Sequence, residues 1–311
     1  MIAGLGIAVA ASLAACSSSS PPPQASSSSS AQSNSQQTIS TSPGAPWTKV
    51  WSDSFDGLAG SGVSNSWMYN QGKGIFGTGE IETMTNSPAN VHLSGRGELE
   101  ITPIRNGTDW TSGRIQTRSS AFTAPAGGEM MVTSTLKQPP ATDPTGYWTG
   151  FWIIGSGQWP EHGEIDILED VDSTSGVSGS LHCGNLDTPN PDGTKGPCHE
   201  TNGIGSGQRP CPGCQNSYHT YSVIIDRRTS EEQIRWYLDG RQYFSINESR
   251  VGQAAWSEGV DGGFSIIFDV AIGGGYPNIK CGCQTPTAST TSGASMSVQN
   301  VAVYTLKPTS S

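Results

Sequence analysis

The decapeptide Glu161-His162-Gly163-Glu164-Ile165-Asp166-Ile167-Leu168-Glu169-Asp170 crowds carboxylates into a segment whose other residues favour a buried β-strand. Ionised Glu and Asp are among the residues least often buried. Their interleaving with Ile165, Ile167 and Leu168 therefore predicts a strand with one apolar face and one carboxylate-lined face. In a flat strand Glu164 and Asp166 share a face by the two-residue repeat, whereas Glu169 points the other way. A β-bulge at Ile167-Leu168 resets the alternation and returns Glu169 to the face of Glu164. At about 3.3 Å per position the two Cα atoms then stand roughly 13 Å apart, so the carboxyl groups must lean toward each other over a concave sheet. Such a face is equipped for acid/base chemistry.

The rest of the chain supports a sheet protein. Among 311 residues, 40 are Gly and only 14% are charged, which suits turn-rich strands rather than helices and one large β domain rather than two. A formal net charge of -10 argues against nucleic acid or an anionic membrane surface as partner and leaves a neutral one. Nine Trp agree with this, since flat apolar rings with a polar handle stack on sugars, although most Trp in any protein fill core.

Residues 1–15 form an apolar run too short to span a bilayer, ending in Leu13-Ala14-Ala15-Cys16. This resembles a bacterial lipoprotein signal, in which Cys16 becomes the lipidated terminus; a plain secretory signal is the competing reading, and both export the protein. Residues 17–46 are Ser, Pro, Gln, Asn and Thr with hardly an apolar side chain, the composition of a flexible tether. The folded domain is expected over 47–307, with a short tail at 308–311. Setting Cys16 aside, six cysteines remain, and in an exported chain disulfides are the first expectation. Six allow 15 pairings; Cys183 with Cys198 is favoured because the loop between them is rich in Pro and Gly. The alternative is a zinc site on Cys211-Pro-Gly-Cys214 and Cys281-Gly-Cys283, with His182 or His199 as a further donor.

After Trp47 the chain breaks into short alternating runs separated by Gly, Pro, Asn and Asp. Strands are predicted over 97–104, 113–122, 129–136, 147–154, 164–171, 177–183, 241–246, 264–272 and 296–305, with two more around Tyr221 to Ile225 and Ile234 to Leu238. Asp239-Gly240 signals a hairpin, and helical periodicity is nearly absent. About a dozen such strands make two stacked antiparallel sheets. The run Gly72-Lys73-Gly74-Ile75-Phe76-Gly77 meets the dinucleotide pattern Gly-x-Gly-x-x-Gly, but no helix pattern follows to seat a pyrophosphate.

The spacing Glu-x-Asp-x-x-Glu, met by Glu164, Asp166 and Glu169 after Trp159-Pro160 and Gly163, resembles the signature of glycoside hydrolase family 16. The resemblance covers nearly all of 47–307 and implies an all-β, concanavalin-like jelly-roll sandwich of two curved antiparallel sheets. It implies that Glu164 is the nucleophile, Glu169 the general acid/base, and Asp166 the hydrogen-bonding neighbour of the nucleophile. Trp148 and Trp152, in Tyr147-Trp148-Thr149-Gly150-Phe151-Trp152, and Trp159 match the family's aromatic cleft lining. His182 falls where the family places a cleft His. Arg114, in Ser112-Gly113-Arg114-Ile115, matches an Arg that reaches sugar hydroxyls. Gly77-Thr78-Gly79-Glu80-Ile81-Glu82 resembles the element Gly-x-Asn-Glu-Leu-Gln, with Gly79 replacing the Asn, and makes Glu80 a substrate contact.

Each residue has a plainer reading. The two aromatic rings at 152 and 159 could be core, His182 a satisfied structural His, Arg114 a solvent-facing side chain, and the acidic strand a calcium site or solvated edge. The expected function is nevertheless a retaining endo-β-glucanase acting on internal β-1,3 bonds, since strict mixed-linkage lichenases carry the shorter Glu-x-Asp-x-Glu. Retention corresponds to carboxyls about 5 to 5.5 Å apart and inversion to about 6.5 to 9.5 Å, and sequence spacing alone does not choose. The alternatives are a non-catalytic glycan-binding module on the same fold, or an agarase, carrageenase or transglycosylase. No cofactor or catalytic metal is required, and a structural calcium ion is compatible with the pattern. The partner is a polysaccharide β-glucan; the chain is expected to be a monomer that meets a membrane only through lipid on Cys16.

Overall fold

The computed structural model describes residues 47–74 and 77–308. Cys16, the signal and tether segments, and residues 309–311 lie outside the described residues. Two eight-stranded sheets stack face to face. The cleft sheet runs, in spatial order, Ile204–Gly205, Gly176–His182, Glu164–Val171, Tyr147–Gly155, Phe264–Ile272, Arg114–Thr117 and Trp67–Tyr69, with Arg209–Pro210 also on Gly176–His182. The second sheet runs Arg241–Asn247, Gln233–Leu238, His219–Asp226, Glu129–Lys137, Met296–Leu306, Leu99–Ile101 and Val91–Leu93, with Thr48–Asp53 on Met296–Leu306. Neighbours distant in sequence, such as Tyr147–Gly155 beside Phe264–Ile272, give the jelly roll its crossings.

The core lies between the layers because each strand alternates. Phe151, Ile153, Ile165, Leu168 and Phe268 point inward from the cleft sheet, and Val132, Val223, Trp236, Val301 and Val303 from the other. Phe151 and Phe268 stack with ring centroids 4.7 Å apart and planes 9° from parallel. Truncating either ring costs about 3 to 5 kcal/mol. Asp239 and Gly240 both adopt positive φ, 49° and 74°, as a two-residue hairpin turn demands.

Several expected strands are shorter than the pattern implied. The run at 97–104 splits at Pro103, which has no N–H for a ladder, into Leu99–Ile101 and Ile104–Asn106. The latter joins a third, four-stranded sheet with Asp109–Ser112, Thr83–Met84 and Gly72–Lys73, in which Thr83–Met84 and Asp109–Ser112 are parallel. The run at 113–122 stops at Thr117, whose hydroxyl accepts Ile266 N–H, a partner the ladder would otherwise supply. Two helices, Gln253–Gly259 and Gly275–Cys281, had no periodic signal because two turns are too few to reveal one. Gly282, at φ 64°, ends the second in the left-handed conformation. The cysteines close as Cys183–Cys198, Cys211–Cys214 and Cys281–Cys283, which replaces the zinc reading. The histidine beside Cys211 and Cys214 is His219, not His182 or His199.

Candidate active site

The bulge sits where the carboxylate spacing required it. On the Tyr147–Gly155 side, Phe151 pairs with Leu168 and Trp152 with Asp166, so Ile167 is the extra residue. Its carbonyl and that of Asp166 accept donors from the opposite layer. Trp236 Nε1 donates to Asp166 O at 2.7 Å, and the Tyr243 hydroxyl donates to Ile167 O at 3.4 Å. Gly179 makes this possible, since a Cβ there would stand 2.4 Å from Trp236 Cδ1.

Glu164, Asp166 and Glu169 therefore share the cleft face with residues of the flanking strands. Register sets Glu164 beside His182, Asp166 between Ser180 and Trp152, and Glu169 between Ser178 and Gly150. The Ser180 hydroxyl donates to Asp166 Oδ2 at 2.5 Å and lies 3.3 Å from Glu169 Oε2. Trp148 Nε1 donates to Glu169 Oε1 at 2.9 Å. His182 Nε2 stands 3.5 Å from Asp166 Oδ2 and 3.9 Å from Glu164 Oε1.

Electrostatics follow from crowding and burial. Burial first, then the Asp166 charge, raises both Glu164 and Glu169 well above the usual carboxylate range. His182 and Arg114 oppose this at Glu164, and the Trp148 N–H opposes it at Glu169. Burial disfavours the His182 cation, yet hydrogen bonds to Asp166 and Glu200 hold its pKa well above the ordinary imidazole value. A cluster that retains protons beside ionised neighbours can exchange them with a bound molecule.

The proposed substrate contacts divide into a cleft group and an edge group. Trp148 and Trp152 are half-buried on the cleft face; Trp152 Nε1 donates to Asp269 Oδ1 at 2.8 Å, and Arg114 Cζ lies 4.5 Å from the Trp152 ring centroid. Arg114 is buried, which settles against the solvent-facing reading. Trp159 is 37% exposed with its ring 5.8 Å from that of His182, an open platform at one end of the cluster. Glu80 is buried, bridged to Gly273 just past Phe264–Ile272 and within electrostatic reach of Arg114 and Asp269, and its Oε2 accepts Thr78 N–H and hydroxyl.

Sequence reasoning missed three participants. Asp269, the sole charge in Phe264–Ile272, faces the cleft opposite Gly150 and Arg114, and burial raises its pKa to about 6. A lone carboxylate in an apolar strand was the available signal. Gly150 leaves space there, since its Cβ would come 2.5 Å from Asp269 Oδ1. Tyr276 meets Trp148 edge-on at 5.6 Å, and Glu200 backs His182 at 2.7 Å; both lie in segments with no strand pattern to place them.

A jelly roll in which the outer face of one layer carries paired acids, an imidazole and tryptophan rings is a carbohydrate-active protein. A family profile described as "XgeA-like, catalytic GH16 domain" matches residues 100–222. The crystal structure of endo-1,3-beta-glucanase from Streptomyces sioyaensis is 38% identical, with TM-score 0.79, over 87% of this chain and all of that one. Beta-glucanase of Rhodothermus marinus is 27% identical over 74% of this chain and 77% of its own length. Clotting factor G alpha subunit of Tachypleus tridentatus is 29% identical over 74% of this chain, which spans only 31% of that longer protein. The chain belongs to glycoside hydrolase family 16.

Proposed function

We propose that the protein is a retaining endo-β-glucanase that hydrolyses internal β-1,3-glucosidic bonds. The observation that carries this reading is the bulge that turns Glu164, Asp166 and Glu169 to one face beside Trp148 and Trp152. Ionised Glu164 attacks the anomeric carbon while protonated Glu169 releases the leaving oxygen; Glu169 then deprotonates the water that frees the sugar from Glu164. His182 favours the ionised form of both Glu164 and Glu169, joined by Arg114 at Glu164 and by neutral donors from Trp148 and Ser180 at Glu169; the nucleophile and acid/base roles follow the family resemblance. Asp166, tied to Ser180 and His182, supplies the fixed negative charge that keeps protons on its neighbours.

The substrate choice is supported by the enzymes the chain resembles and by the bulged spacing of its acids. Laminarin, lichenan, agarose and chitin-linked glucan should be compared by reducing-end release, with products sized by mass spectrometry. New reducing ends from laminarin, abolished by Glu164→Gln, and a β-anomer as first product seen by proton NMR are expected. Saturable laminarin binding without hydrolysis would overturn the reading in favour of a glycan-binding module. Export with a lipid on Cys16 belongs to the same proposal, and palmitate labelling lost in Cys16→Ser tests it.

A further inference from the structure

The loop after Gly176–His182 carries a carboxylate that the reaction as proposed does not use. Glu200 is 3% exposed and both its oxygens are engaged. Oε2 lies 2.7 Å from His182 Nδ1, and Oε1 accepts Cys183 N–H at 3.0 Å. The loop is held in turn, since Lys195 and Glu200 exchange backbone hydrogen bonds and the Cys183–Cys198 disulfide ties it to the strand end. On another side the ring packs closely over Gly203, where a Cβ would stand 2.8 Å from His182 Cε1. Its free nitrogen, Nε2, is thereby aimed at Asp166 and Glu164. The groups facing this imidazole are Glu164 and Asp166 from their strand, Glu200 from the loop and the ring of Trp159, with Glu169 further along the cluster.

We propose that Glu200 is a positioning residue that acts through His182. Its carboxylate accepts a hydrogen bond from Nδ1–H without removing the proton, so that Nε2 presents an N–H to Asp166 and the imidazolium charge stands beside Glu164. A carboxylate behind an imidazole fixes the tautomer and stabilises the cation. Asp166 is then oriented by two donors, Ser180 and His182, and the attacking form of Glu164 keeps a cationic neighbour until its charge is consumed in the glycosyl bond. This inference rests on the hydrolase reading for its kinetic consequence alone.

Glu200→Gln separates charge from shape, because the amide still meets Cys183 N–H and Nδ1 yet leaves a neutral ring. NMR titration of protein labelled with nitrogen-15 at histidine should show His182 charged well above the pH at which free histidine titrates. In Glu200→Gln that charge should be lost at neutral pH, and in Glu200→Asp it should be partly restored. Laminarin kcat should fall on the order of tenfold in Glu200→Gln with KM little changed, the loss growing toward alkaline pH. An unchanged His182 titration, or a kcat loss that merely follows a lower Tm with the same pH profile, would overturn the assignment. The titration needs no substrate, so inactivity on every glucan would remove the hydrolase reading while the NMR result still decides the role of Glu200.

Discussion

Two groups of buried carboxylates lie on opposite faces of this sandwich, and they are wired in opposite ways. On the outer face of the second sheet, Glu129 and Asp226 meet Arg228 and Arg235 at 2.6 to 2.9 Å, so charge is matched in place. Burial and the neighbouring Asp226 raise Glu129 to about 7, whereas, despite burial, the Arg228 hydrogen bonds hold Asp226 well below its ordinary value, so the pair splits into one protonated and one ionised partner. On the cleft face three carboxylates share His182, with Arg114 further along, and Glu164 and Glu169 are pushed up. Balanced charge supports the fold; unbalanced charge is kept where protons have to move.

The most damaging test of this contrast is Glu164→Gln. Laminarin turnover should fall on the order of 10³-fold, while Tm should hold or rise because a crowded like charge is removed. A parallel loss of Tm in a thermal melt would mean that the cleft acids are structural. The converse is Arg235→Leu, which leaves Glu129 and Asp226 short of a buried partner. It should cost about 3 kcal/mol in denaturant unfolding with kcat per folded molecule retained. Between the two stands Gly179→Ala, whose Cβ displaces Trp236 from the bulge carbonyl. It should cost about 1 to 3 kcal/mol and lower kcat as well, a joint loss that neither of the other variants gives.

The smallest effect is one of pH. Burial above all raises Glu82 to about 8, against the Ile272 N–H that favours its charge. From its unfolded value of 4.5 up to about 8, the folded chain keeps a proton that the unfolded chain has lost, so stability falls as pH rises. The slope from Glu82 is at most about 1.4 kcal/mol per unit, and Glu82→Gln should reduce the pH dependence of urea melts between pH 5 and 8 by that share, leaving the part due to Glu129, Glu164 and Glu169. Asp226 has the reverse sign. Its contribution is complete above the unfolded value of 3.8 and is lost as pH falls below it, so acid should weaken wild type more than an Asp226→Asn variant.

Much of the site was legible because it obeys a strict period. The five-residue step from Glu164 to Glu169 demanded a bulge, and Ile167 is the inserted residue. The pairing of Cys183 with Cys198 was favoured by loop composition and is present. The donors that hold the bulge were not legible, because Trp236 and Tyr243 lie on other strands and alternate like ordinary core residues. Glu200 gave no signal either. It stands 18 residues after His182 in a loop whose path is set by a disulfide and hydrogen bonds rather than by any repeat. The split at Pro103 was available from the missing N–H, but the apolar alternation around it masked the break.

The indole of Trp236 reaches through the interior to grip the kinked backbone from behind. The thickness of the sandwich is thereby communicated to the acids in front, as a spacer sets the gap of a clamp. A change in the filling between the layers, made far from any sugar, would be felt as mis-spaced acids before the protein came apart.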